Sequence, residues 1–212
     1  MENEKKQKSK SSNLLFIVFI LILIVGAFFY LKGIVKPKVN VNGTTLTINM
    51  TVQELVDAGF AIDDSLRGSG DMDINMQPDM PGESYTSTFY YLYAPNEHGY
   101  YDYANVIFSV FNKGVNSVEF KDCQIYSYRY DPNFQLSDVP VLINDIDFAG
   151  VSKEEAIAAI EELGIKFDKD DKEEFMNDER HIIFGHSGDF SYIIETDYTT
   201  GDVTNIEVKR DL

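Results

Sequence analysis

Asp102-Tyr-Ala-Asn-Val-Ile-Phe-Ser-Val-Phe-Asn-Lys-Gly114 and Asp189-Phe-Ser-Tyr-Ile-Ile-Glu-Thr-Asp-Tyr-Thr-Thr-Gly201 decide how this chain folds. The two stretches align without a gap, 87 residues apart. Asp, an aromatic, a small residue, any residue, Val or Ile, and Ile recur in order, followed by Ser or Thr, an aromatic and Gly. Apolar residues alternate with a period of two, the mark of a strand with one face buried. Val106, Phe108 and Val110 share one face, and Ile107, Ser109 and Phe111 the other. Gly114 and Gly201 mark turns into a following strand. That strand also matches once Asp202 is taken as an insertion: Val115-Asn-Ser-Val-Glu-Phe-Lys121 against Val203-Thr-Asn-Ile-Glu-Val-Lys209. Upstream, Tyr90-Tyr-Leu-Tyr93 stands in the place of His181-Ile-Ile-Phe184. Self-similarity at a fixed spacing is the signature of a duplicated unit.

Each copy also begins alike. Leu46-Thr-Ile-Asn49 resembles Leu142-Ile-Asn144 in pattern. Thr51-Val-Gln-Glu54 and Ser152-Lys-Glu-Glu155 are capping boxes, in which a hydroxyl and a glutamate satisfy free amides at a helix start. Val52, Leu55, Val56 and Phe60 make an apolar stripe in the first copy; Ala156, Ile157, Ile160 and Leu163 make one in the second. Gly59 and Gly164 are suited to stop these helices in a left-handed conformation. The expected body is therefore α+β: two tandem helix-plus-antiparallel-sheet (αβββ) repeats, 36–130 and 131–212, each sheet covered on one face by its helix. The Gly-, Asp- and Pro-rich stretch 63–84 reads as a link within the first copy, and 126–138 as the link between copies.

The chain has 212 residues, 44% of them hydrophobic and 25% charged, with a single cysteine, which excludes collagen, low-complexity disorder and a disulfide scaffold. Its formal charge of −17 is unevenly spread. Residues 1–38 hold seven lysines and two glutamates, a net of +5; the rest hold 11 basic and 33 acidic groups, a net of −22. Residues 14–31, LLFIVFILILIVGAFFYL, carry no charge and would span about 27 Å as a helix. The expectation is a basic cytoplasmic tail at 1–13 and a single transmembrane helix at 14–35 acting as an uncleaved signal anchor in the lipid bilayer. Four lysines precede the run and three follow it. That bias orients a single-pass protein of the cell membrane with its C-terminal body extracytoplasmic. A −22 body repels phosphate backbones, so no nucleic-acid partner is expected.

A capped helix followed by an antiparallel sheet, in tandem, resembles the β-lactamase-inhibitor-protein class and the related small envelope lipoproteins. Ser152-Lys-Glu-Glu-Ala156 and Asp197-Tyr-Thr-Thr-Gly-Asp-Val203 are similar to the helix start and the Asp-x-x-Thr-Gly-x-Val hairpin of PepSY domains. The first copy departs from that hairpin, with Val110-Phe-Asn-Lys-Gly114 in its place. These resemblances imply binding or inhibition of proteins at the cell envelope and no catalytic residue.

Catalytic motifs are missing from the sequence: there is no Gly-x-Ser-x-Gly, phosphate loop or His-Glu-x-x-His. Cys123 lacks a partner signature and reads as a buried or half-buried strand residue. His181 and His186 lie five apart with no third ligand. Asp71-Met-Asp-Ile-Asn75 departs from a calcium loop at the turn glycine, where Met76 stands, and at the closing glutamate, where Gly82 stands. No metal or cofactor is expected, and the chain reads as a non-enzyme. What stands out is tyrosine: ten of 13 lie between Tyr85 and Tyr130. Alternation places Tyr91 and Tyr93 on one face, and Tyr126, Tyr128 and Tyr130 on one face. Tyrosine joins a large contact area to a polar tip, so these five are the candidate surface for a protein or peptide partner. Two other readings are a PepSY-like inhibitor or regulator of an extracytoplasmic protease and an unrecognised envelope hydrolase.

Overall fold

A computed structural model describes residues 19–20, 33–65, 70–86, 88–134, 138–167, 180–197 and 199–211. The chain divides into two compact units, Met1–Val35 and Lys36–Leu212. Of the stretch 14–35, residues 19–20 are helical and 33–35 are non-helical, and the rest lies outside the described residues. Among the described residues no helix is long and apolar enough to cross a membrane. The expected transmembrane helix is corrected on that finding, and with it the signal anchor, the bilayer contact and the single-pass placement with an extracytoplasmic body. These rested on the hydropathy of one run and the lysines on either side of it.

The Lys36–Leu212 unit contains, in order, β1 (Lys38–Val41), β2 (Thr44–Thr47), α1 (Val52–Asp57), β3 (Ala61–Asp63), β4 (Ser84–Tyr85), β5 (Tyr90–Pro95) and β6 (Tyr101–Asn112). After a 3-10 turn (Phe120–Asp122) come β7 (Gln124–Tyr130), β8 (Val141–Ile143), α2 (Lys153–Glu162), β9 (Lys166–Phe167), β10 (Arg180–Ser187), β11 (Phe190–Asp197) and β12 (Val203–Arg210). One nine-stranded sheet runs β3-β5-β6-β7-β12-β11-β10-β9, with β4 also on β6. A three-stranded sheet runs β2-β1-β8. Every pairing between these strands is antiparallel.

The expected fold class, α+β with a transmembrane helix and two αβββ repeats, is therefore corrected to a mostly antiparallel β-fold, 45% strand and 13% helix among the described residues. The physical reason is the seam. β7 pairs with β12, joining Ser127–Tyr130 to Ile206–Lys209, so the halves fuse into one sheet instead of closing separately. The helices, of six and ten residues, are short accessories to it.

Local signals act as their chemistry dictates. Both capping boxes form: Thr51 and Ser152 each accept from the amide three residues on, and Glu54 and Glu155 reach back. Gly59 and Gly164 follow the helices at φ +94° and +88°, which a side chain would strain. The order of strands repeats, β5-β6-β7 against β10-β11-β12. The segment matched to β12 from sequence, 115–121, is not a strand, however. Val118 bridges to Met80, and Phe120 opens the 3-10 turn. β7 takes its place, inside the stretch expected to link the copies.

The faces of the large sheet follow from register. One row crosses it as Val106-Tyr130-Ile206-Ile194-Ile183, and the next as Tyr90-Phe108-Tyr128-Val208-Tyr192-Gly185. Val106, Phe108, Tyr128, Ile206, Ile194, Val208 and Tyr192 are fully or almost fully buried. Val52 and Leu55 of α1, Ala156 and Ile160 of α2, and Val39, Val41, Val141 and Ile143 of the small sheet are buried apolar side chains as well. Asn144 Nδ2, next to β8, donates to the Tyr192 hydroxyl at 3.3 Å, tying the small sheet to the large one.

Candidate functional site

The opposite face has a different composition. Its central row is Tyr91-Ile107-Arg129-Glu207-Ile193-Phe184, and the next is Ser109-Ser127-Lys209-Ser191-His186. Most of the long side chains here, Tyr91, Tyr103, Ile107, Phe111, Tyr126, Arg129, Asn205, Glu207 and Lys209 among them, are half-buried. Among the described residues the strands fall into this large sheet and the three-stranded one.

At the seam a polar cluster crosses between the halves. Arg129 Nη2 lies 2.7 Å from Glu195 Oε2, which also accepts from Asn205 Nδ2 at 3.1 Å. Glu207 is the direct cross-strand partner of Arg129. Burial raises the pKa of the Glu207 carboxyl above the ordinary glutamate range. Lys209 and Arg129 pull it down and Glu195 pushes it further up.

Beside this cluster is a cleft of about 290 Å³, lined by Tyr91, Tyr103, Asn105, Ile107, Arg129, Asp131, Phe134 and Asn205. A β-bulge shapes it. β5 and β6 pair Tyr93 with Tyr103 and Tyr91 with Ile107, leaving three residues of β6 across from Leu92. Asn105, within that excess, sits at φ +56°, a left-handed conformation that asparagine tolerates better than most residues. Bulges of this kind re-aim strands beside functional sites. The Asn105 carbonyl accepts from the Asp131 amide, and its Nδ2 donates to the Phe134 carbonyl at 2.9 Å. Asn105 is 5% exposed, and its Oδ1 has no hydrogen-bond partner. The rings of Tyr91 and Phe134 each lie 5.7 Å from that of Tyr103, at 60° and 86°. Burial first, then the neighbouring Tyr91 and Asp131, push the Tyr103 phenol well above its usual pKa, so it stays protonated. A second cleft of about 230 Å³ lies at the other end of β6 and β7, with Phe111, Lys113, Tyr126 and Arg210 around it.

The five tyrosines expected to form the binding face do not share one. Tyr91 and Tyr93 lie on the open face, around Tyr103. Tyr93 is only 4% exposed, with its hydroxyl donating to the Ser65 carbonyl at 3.3 Å. Tyr126 is half-buried and bonded to Ser109 of the open face. Tyr128 and Tyr130, 1% and 5% exposed, belong to the core. They pair with Phe108 and Val106 of the covered face, and the register shift at Ser109/Val110, with Tyr126 as the extra residue, breaks the alternation that would group Tyr126 with them. Tyr103, Asn105, Arg129, Asp131 and Phe134 were not singled out from sequence. The one signal for Asn105 was a polar residue inside an otherwise apolar strand.

The hydrolase reading meets a suggestive trio at the end of β12. Ser191 Oγ lies 3.1 Å from His186 Nδ1 and donates to Asp211 Oδ1, and His186 Nδ1 is 3.7 Å from Asp211 Oδ2. A nucleophile relay needs the imidazole between serine and carboxylate, using both ring nitrogens. Here one nitrogen faces both partners and the serine is 2% exposed, an arrangement unlike that relay. The His181 side chain lies outside the described residues. Among the described residues no group of three His, Cys, Asp or Glu could hold a metal ion. The turn after β11 is held by Asp197, whose Oδ1 accepts from the amides of Thr199 and Thr200 at 2.7 and 2.8 Å. No family model, curated protein or solved structure matches the chain.

Proposed function

We propose that the Lys36–Leu212 unit is a non-enzymatic binding module that holds a protein or peptide against the open face of its large sheet. The observation that carries this is the contrast between the two faces. One is closed by two helices and a second sheet. The other presents tyrosine, isoleucine and phenylalanine around a half-buried arginine–glutamate cluster, the mixture of aromatic anchors and arginine that concentrates binding energy in interfaces.

The experiment is capture with the full-length chain as bait, comparing wild type with Tyr91→Ala, Ile107→Asp and, as a control outside the face, Tyr100→Ala. Tyr100 is 73% exposed and lines neither cleft. Hot-spot truncations cost about 2 kcal/mol or more, so the two face variants are expected to lose at least about tenfold in affinity for a captured protein, with the control unchanged. Equal capture by all three variants would remove the open face as the binding surface.

A further inference from the structure

Building on the binding-module reading, we infer that the cleft at Phe111, Lys113, Tyr126 and Arg210 seats the C-terminal residue of a protein partner, with its apolar side chain against the rings and its carboxylate on the two cations. Size comes first. At about 230 Å³ the cleft is smaller than small-molecule pockets, which run from roughly 300 to 1,000 Å³, and it suits a single side chain. Its walls come second. Phe111 and Tyr126 line it and are half-buried. Tyr85, the cross-strand partner of Phe111, is 64% exposed, with its ring 6.4 Å from that of Tyr126. Aromatic surface left in water beside a cleft is the mark of a contact site.

Charge decides between occupants. Beyond residue 38 acidic groups outnumber basic ones 33 to 11. This cleft reverses the balance, with Lys113 and Arg210 against Asp211. Lys113 is exposed, and its ammonium has no partner among the described residues. Arg210 Nη1 donates to Asn49 Oδ1 at 2.9 Å, a neutral acceptor that also lines the cleft. Its guanidinium therefore has no carboxylate partner among the described residues. Asp211 is drawn the other way: its Oδ1 accepts from Ser191 Oγ, and its Oδ2 lies 3.7 Å from His186 Nδ1. A carboxylate arriving at Arg210 gains charge-assisted hydrogen bonds that asparagine does not supply. A chain end brings that charge and an apolar side chain on one residue, which matches a one-residue cleft with an aromatic wall and cations beside it. An aspartate or glutamate within a chain brings the charge without the apolar bulk. The −22 of the body repels any anion at long range, so a preference for a carboxylate has to come from these short contacts.

The test titrates the full-length chain with three hexapeptides of glycine and serine, labelled at the N-terminus. They end in phenylalanine as the free acid, phenylalanine as the amide, and serine as the free acid. The phenylalanine acid is expected to bind at least about tenfold more tightly than either of the others. Arg210→Gln should weaken it about tenfold and Lys113→Gln at least about threefold, each with less effect on the amide. Lys113 has an exposed side chain with no partner among the described residues, so its replacement tests the cleft even where Arg210→Gln disturbs the fold. Lys166→Gln removes the same charge from an exposed position on β9 and should leave binding unchanged. Equal binding of the acid and the amide would overturn the carboxylate contact. Equal binding of the two acids would overturn the apolar seat. An equal loss in Lys113→Gln and Lys166→Gln would reduce the effect to net charge and overturn the cleft, as would absence of binding by the phenylalanine acid. Tyr91 and Ile107 do not line this cleft, so the binding-module reading stands or falls separately, on the capture experiment.

Discussion

Tyr128 lies at the centre of the covered face, 1% exposed, and its hydroxyl has no hydrogen-bond partner. A buried hydroxyl without a partner costs about 1–3 kcal/mol of lost hydration. Burial alone pushes its phenol far above the usual tyrosine pKa, so the group stays protonated and unpaired at any physiological pH. Tyr128→Phe keeps the ring and its packing against Phe108, whose centroid is 6.5 Å away, and removes the orphan. The variant is expected to be more stable by about 1 kcal/mol, a rise in Tm of about 2–4 °C in a chain this size. A thermal melt showing a lower Tm would mean that the hydroxyl is satisfied after all. The same residue marks a limit of sequence reading. Period-two alternation identified β6 faces correctly, with Val106 and Phe108 inward and Ile107 outward. It could not see the bulge at Asn105 or the register shift at Ser109/Val110, the second of which changes the side that Tyr126 faces. The gapless alignment consequently matches Ile107 of the open face with Ile194 of the core.

Among the elements, the helices were the most legible because their signals are local. The capping boxes and the Gly59 and Gly164 stops lie within a few residues of the backbone they satisfy. The pairing of β7 with β12 was illegible for the opposite reason. The Arg129–Glu195 contact that marks it spans 66 residues, and nothing in either local sequence names its partner. Glu207 of β12 makes this seam pH-sensitive. Its carboxyl is raised first by burial, against the pull of Lys209 and Arg129. A raised native pKa means the folded chain holds the proton more tightly than the unfolded one. The stability this supplies is complete below the ordinary glutamate range and is lost as pH climbs through the native value. Glu207→Gln fixes the neutral state and leaves Arg129 its partner Glu195. The variant is expected to match wild type near pH 4 and to melt at a higher temperature near pH 8, with the gap widening between. Melting curves that run parallel across that range would contradict the assignment of a raised pKa.

For the whole molecule, the seam and the small sheet predict that the copies depend on each other. The copies were read from sequence as two modules meeting at residue 130, and the order of their strands does repeat. Yet β7, which ends the first copy, has one long edge paired with β12. β1, which begins the first copy, pairs with β8 of the second: the Lys38 amide donates to Asn144 Oδ1 and the Asn144 amide to the Lys38 carbonyl, both at 2.8 Å. Arg210 Nη1 adds a bond to Asn49 Oδ1 at 2.9 Å. A fragment of residues 36–130 would expose the β7 edge and one side of β1 together. It would also lose β8, whose Val141 and Ile143 are 2% exposed in the full unit. Unpaired edges and uncovered apolar residues are what drive such fragments to aggregate. Fragments 36–130 and 131–212 expressed separately are therefore expected to show no cooperative unfolding. The intact chain should unfold in one transition, with coincident curves from far-ultraviolet circular dichroism and tyrosine fluorescence. Co-expression of the two fragments should recover that transition, because pairing of β7 with β12 and β1 with β8 needs no covalent link between the halves. Two separate transitions in the intact chain, or a cooperative melt from either fragment alone, would show that the repeats are autonomous and that the seam only docks them.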